Sequence, residues 1–183
     1  MRLYEIKDND DELSEAVWWL TRWVSGSMDD EDWDDSWTTF GIDRAFEILH
    51  NEVGNASCLN KPLWRYLRVK GGRRNNMPSR AQKLIQKQIL PVSPTSVFQS
   101  FTDHKDIVIK ISNDLQYDCT NGIIVSIIPD PSLIMFGIND LKHSKNSIIQ
   151  SALLEIGDWH YQNEVIVRVS SPLPLLSIED IKH

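Results

Sequence analysis

The apolar residues change their period near residue 59, and that change limits the chain to a mixed architecture. Over residues 10–25, Leu13, Ala16, Val17, Leu20 and Val24 recur at helical spacing, and Trp18, Trp19 and Trp23 widen the apolar face. Ile42, Ala45, Phe46, Leu49 and Val53 mark one side of a second helix over 42–53, with Gly54 and Asn55 as its stop. From residue 62 the apolar residues come in short runs bounded by breakers. They predict strands at 62–69, 97–101, 123–128, 132–136, 164–169 and 173–178. Three helices are interleaved. Ser79 opens a capping box with Gln82 and a helix to about Gln88, Thr102 or Asp103 caps one through Ile111, and a third covers 146–156. Residues 71–76 read as a loop. The expectation is an α+β protein with helices first: an acidic, Trp-rich helical region at 1–58, then a strand-rich body at 59–183 that forms one compact unit.

A chain of 183 residues can bury a sufficient core without staples. Cys58 and Cys119 stand alone, so neither a disulfide framework nor a cysteine zinc cluster is expected. The first residues, MRLYEIKDNDDELSE, are acidic and lack the apolar core of a signal peptide. No run approaches the roughly 18 apolar residues of a membrane helix. A cytoplasmic protein without a membrane partner is the expectation.

Charge is segregated. Residues 1–58 hold 15 acidic and 4 basic side chains, residues 59–110 hold 2 and 11, and residues 111–183 hold 9 and 4, within an overall charge of −7. A basic surface in the middle segment suits phosphates, in a small molecule or in nucleic acid, or is simply a solvated face. The run 28–36, MDDEDWDDS, cannot pack as a core. It either solubilises the chain, shields the basic segment or docks a partner such as an inhibitor.

Several chemistries lack their motifs. The chain has no phosphate-loop or dinucleotide-binding glycine pattern and no Gly-x-Ser-x-Gly elbow. The histidines at 50, 104, 143, 160 and 183 have no zinc-ligand spacing, so no metal is expected.

Three short pieces occur in order. Leu63, Trp64 and Arg65 lie on an expected strand. Phe98, Gln99, Ser100, Phe101 and Thr102 run from a strand into a helix. Tyr161, Gln162, Asn163 and Glu164 open the apolar strand Val165–Val167. Taken singly, Ser100 reads as a helix cap and Glu164 as a solvent-facing strand residue. Taken together, over roughly residues 42–178, the order resembles the arginine–serine–glutamate class of mono-ADP-ribosyltransferases, in its Gln-x-Glu variant. Arg65 stands 35 residues before Ser100, and Ser100 stands 64 before Glu164. The resemblance implies a split β-sandwich core, here with an N-terminal helical extension, and NAD as co-substrate. The acidic front is outside the family pattern.

Breaking the nicotinamide–ribose bond of NAD builds positive charge on the ribose, as in glycoside hydrolysis. A fixed carboxylate there stabilises the transition state, and Glu164 is the candidate. Ser100 is expected to hold that carboxylate, with Thr102 assisting or capping the helix. Arg65 is expected to grip the pyrophosphate with its planar fork. Arg68 is its rival on the opposite strand face. Phe101, Phe98 and Tyr117 are candidates for the ring beside the nicotinamide. The resemblance assigns Gln162 to the acceptor, where an amide suits an amide side chain or a nucleobase. Trp159 and Tyr161 either stack on that acceptor or anchor the loop.

The leading expectation is therefore an enzyme that transfers ADP-ribose to RNA, DNA or protein, of the kind used as toxins, in toxin–antitoxin pairs or in phage defence. An antitoxin or inhibitor would meet the Trp-rich acidic front. The alternatives are an NAD glycohydrolase using the same three residues with water, or a non-catalytic binding module of the same fold.

Overall fold

The computed structural model describes residues 9–25, 38–54, 60–70, 83, 85–92, 97–114, 121–156 and 163–182. The acidic run 28–36 lies outside them, as do the loop 71–76 and most of the helix expected from Ser79, which reaches the described residues only at its end.

Two helices come first. α1 (Asn9–Ser25) and α2 (Ile42–Val53) match the periodicity of their apolar residues, and Gly54 ends α2 at φ +70°, its N–H on the His50 carbonyl at 2.9 Å. Buried Glu15 on α1 joins the two helices. It accepts hydrogen bonds from the Thr39 and Phe40 amides and the Thr39 hydroxyl, while Trp19 Nε1 donates to Phe40 O at 3.0 Å. A buried carboxylate with three donors is tolerable where a lone one would not be.

The body is a sheet. Its strands are β1 (Leu63–Lys70), β3 (Phe98–Thr102), β4 (Asn121–Ile127), β5 (Ile134–Gly137), β6 (Glu164–Arg168) and β8 (Ser177–Lys182). They run in the order β5-β6-β3-β1-β4-β8, each antiparallel to its neighbours. A small second sheet pairs β2 (Ile89–Leu90) with β7 (Leu173–Pro174). Among the described residues, three further helices follow: α3 (Lys105–Asp114), α4 (Ile138–Leu141) and α5 (Ser147–Ile156). Among the described residues no helix is long and apolar enough to cross a membrane.

The sheet is covered on both faces, which explains why β6 reads as unbroken Val-Ile-Val rather than alternating. Ile166 faces a core shared with Phe98, Phe136 and helices α1, α2 and α5, whereas Val165 and Val167 face a second core with Phe101, Leu63 and Val125. The N-terminal helices thus share one core with the sheet. His50 Nδ1 bonds Met135 O, and Arg168 reaches Glu47 at 3.2 Å, tying α2 to β5 and β6.

Two strand expectations need correction. The run 132–136 is half strand. Asp130 accepts from the Ser132 amide at 2.9 Å and winds Pro131–Leu133 into a 3₁₀ turn before β5 starts. The run 173–178 is not one strand. Leu175 N bonds Gln88 O in the small sheet and Leu176 N bonds Ser126 O in the large one, so the chain changes sheets between them.

Candidate active site

The large sheet nearly parts in its middle. β1 and β4 stay in register from Leu63↔Ile127 to Lys70↔Asn121, and β3 and β6 from Phe98↔Arg168 to Thr102↔Glu164. β1 and β3 meet only at Trp64↔Thr102. Beyond that pair, the β3 carbonyls that face β1 lack a strand partner. The guanidinium of Arg65 takes one of them, with Nη1 donating to Ser100 O at 3.3 Å, and its Cζ lies 5.8 Å from the centre of the Phe101 ring.

The parting leaves a cleft of about 180 Å³. Its walls are Trp64, Arg65 and Tyr66 of β1, Ser100, Phe101 and Thr102 of β3, Val108 of α3 and Glu164 at the head of β6. Register explains the convergence of the β3 and β6 side chains. Thr102 is directly opposite Glu164, and Ser100 is two residues along the same face, within diagonal reach. Helix α3 is held over the opening by Lys105, whose Nζ lies 2.7 Å from Glu179 Oε1 of β8.

The electrostatics of the cleft are set by desolvation. Burial pushes the Glu164 carboxyl up to about 7, against the opposing pull of a hydrogen bond from the Ser100 hydroxyl and of the Arg65 charge. Burial also pushes Arg65 down to about 10, partly offset by Glu164, which leaves the guanidinium charged at neutral pH. Oε2 of Glu164 is buried with no hydrogen-bond partner among the described residues. A carboxylate oxygen of that kind favours a ligand bearing positive charge or a hydroxyl donor.

The cleft therefore brings together Arg65, Ser100, Phe101, Thr102 and Glu164. Thr102 is buried and its hydroxyl accepts from His104 N at 3.2 Å, leading the chain into α3. Phe98 is a correction: it is 2% exposed and packs edge-on against Phe46 at 4.9 Å, inside the helical core and away from the cleft. Gln162, Trp159, Tyr161 and Tyr117 lie outside the described residues, as does the side chain of Arg68. Among the described residues, no three His, Cys, Asp or Glu side chains cluster as a metal site would need.

Sequence reasoning missed Tyr66, and its signal was Gly122 on the neighbouring strand. A Cβ at Gly122 would stand 2.1 Å from the Tyr66 ring, so the ring lies across the glycine and forms part of the cleft wall. Gly122→Ala is expected to cost about 1–3 kcal/mol of stability through overpacking. Urea unfolding of the double-mutant cycle with Tyr66→Ala checks the cause, since the cost should shrink once the ring is gone. An equal cost in both backgrounds would place the strain elsewhere.

No protein-family model, curated protein or solved structure matches the chain. The geometry of the cleft and the order of its residues in the sequence are what bear on function.

Proposed function

We propose that the protein is an NAD-dependent mono-ADP-ribosyltransferase acting on a macromolecular acceptor. The observation that carries this reading is Glu164. It is a desolvated carboxyl in the same cleft as the Ser100 side chain and the Arg65 guanidinium, where the sheet parts between β1 and β3. That parting also supports the split β-sandwich implied by the sequence resemblance.

The cleft has room for one ring or sugar rather than a whole dinucleotide, which suits the nicotinamide ribose. Arg65 has five N–H donors and spends one on Ser100 O, and the others, which have no acceptor among the described residues, can fork onto the pyrophosphate. The bond from ribose C1′ to the nicotinamide nitrogen breaks, and its electron pair leaves with neutral nicotinamide. The positive charge left on the sugar is met by ionised Glu164 in a site with little water to screen it. An N–H or O–H group of the acceptor then bonds to C1′ and gives up its proton.

Gln162, with Trp159 and Tyr161, is assigned to the acceptor. The proposal extends to a cytoplasmic toxin or phage-defence role, with the Trp-rich acidic front as the docking site of an inhibitor.

The test is transfer of label from NAD to separate pools of cell protein, RNA and DNA. Label in one pool supports the transferase and names the acceptor class. Release of free ADP-ribose with no pool labelled would replace it by a glycohydrolase, and neither signal by a binding module. A nucleic-acid acceptor carries a further expectation. If the segment 59–110, with 11 basic and 2 acidic residues, contacts phosphates, the labelling rate should drop steeply between low and physiological salt. A flat salt response would point to protein.

A further inference from the structure

Glu164 opens β6, and the residue before it departs from strand geometry. Asn163 has φ +47°, the left-handed region that L residues enter at a cost of roughly 1–2 kcal/mol and that Asn tolerates better than most. The bend falls one bond before the carboxyl-bearing residue, so it fixes the direction from which the chain delivers Glu164 to the cleft.

A conformation of this kind persists only where its surroundings hold it. Asn139, the second residue of α4, is placed to do so: its Nδ2 donates to Asn163 Oδ1. Helix α4 is itself seated against β6. Gly137 N donates to Asp140 Oδ2 at 3.0 Å, and Gly137 pairs with Val165. A Cβ at Gly137 would stand 2.8 Å from that oxygen and 3.8 Å from Glu164 O, so the glycine lets α4 approach the Glu164 backbone. A second, smaller cavity of about 30 Å³ lies between Asp103, Asn139, Asn163 and Glu164, on the α4 side of the carboxyl-bearing residue. Asn139 Oδ1 is buried without a partner among the described residues. An orphaned acceptor is costly, and a side chain that contributed only packing would be better apolar.

We propose that Asn139 is a positioning residue for Glu164: by latching Asn163 in its left-handed conformation, it holds the Glu164 carboxyl in the cleft beside Ser100 and Arg65. Only the kinetic part of the test rests on the proposed transferase.

The test uses the full chain and compares Asn139→Ala, Asn163→Ala and Asn163→Gly by two readouts. The first is the titration of the Glu164 carboxyl carbon by NMR, which needs no substrate. A latch that keeps the carboxyl buried predicts that the midpoint falls by at least about one unit, toward the ordinary 4.5, in Asn139→Ala and Asn163→Ala. Asn163→Gly should stay closer to wild type, because glycine adopts the left-handed bend freely. The second readout is turnover of NAD. Here kcat should drop at least ~10-fold in the two alanine variants with KM changed by less than about threefold, and glycine at 163 should recover part of the loss. If Asn139→Ala fails to fold, Asn139→Asp removes the donor at the same shape and is read in the same way. A wild-type midpoint and kcat in the folded Asn139 variant would overturn the proposal, as would glycine no better than alanine at 163. If the wild type consumes no NAD, the transferase reading fails while the titration still decides the latch.

Discussion

Glu164→Gln should lower ADP-ribose transfer by at least ~10²-fold while making the protein more stable at pH 8. The two effects have one cause. The native carboxyl titrates at about 7 against an ordinary 4.5, because burial disfavours its charge. Below pH 4.5 both folded and unfolded chains are protonated and the group contributes nothing. Between pH 4.5 and 7 the unfolded chain releases a proton that the native chain keeps, so stability falls as pH rises. Above pH 7 the native site holds an ionised carboxylate at full cost. With discounting for the partial exposure of the cleft, that cost is about 1–3 kcal/mol. Glutamine avoids it at nearly the same size. The variant's melting temperature should therefore exceed that of the wild type by roughly 2–4 °C per kcal/mol at pH 8 and draw level near pH 4.5. A stability gap that widened on acidification would mean an ion-paired carboxylate of lowered pKa instead. The proposed transferase reaction carries the complementary signature. Only the ionised form stabilises a cation, so kcat/KM should rise as pH passes through about 7, and the limb in kcat should lie lower because the nicotinamide cation of bound NAD favours the carboxylate.

Arg65→Ala should reduce kcat/KM for NAD about 10- to 100-fold, mostly through KM, the amount expected from lost hydrogen bonds to a charged group. The same change leaves the Ser100 carbonyl without its donor at the parting between β1 and β3, so some loss of stability should accompany it. Arg65→Lys keeps the charge but not the fork. It cannot hold Ser100 O and a pyrophosphate together and should recover little. Steady-state kinetics on Arg65→Ala and Arg68→Ala decide between the two arginines. An unchanged KM at 65 with a raised KM at 68 would reduce Arg65 to a spacer between strands.

Much of this architecture was legible where the signal is local. The Leu13–Val24 and Ile42–Val53 patterns define α1 and α2 because a helix is built from neighbours in the sequence. The ordered triple of Arg65, Ser100 and Glu164 was legible because each residue sits on a short apolar strand. Antiparallel register then brings residues distant in the chain to one cleft. What stayed hidden depends on partners far away in sequence. Nothing in the residues 173–178 shows that Leu175 bonds Gln88 in one sheet and Leu176 bonds Ser126 in another. Phe98 and Phe101 look alike in sequence, yet they are three residues apart on a strand and therefore face opposite cores. The pairing of Tyr66 with Gly122 needs strand register, and the left-handed bend at Asn163 needs Asn139, 24 residues earlier.

The most direct measurement is release of nicotinamide from NAD at pH 8 by the wild type and by Glu164→Gln, each supplied with the protein, RNA and DNA pools. Release by the wild type is expected, with a rate at least ~10²-fold lower in the variant. No release with any pool, or an undiminished rate in the variant, would contradict the proposed transferase.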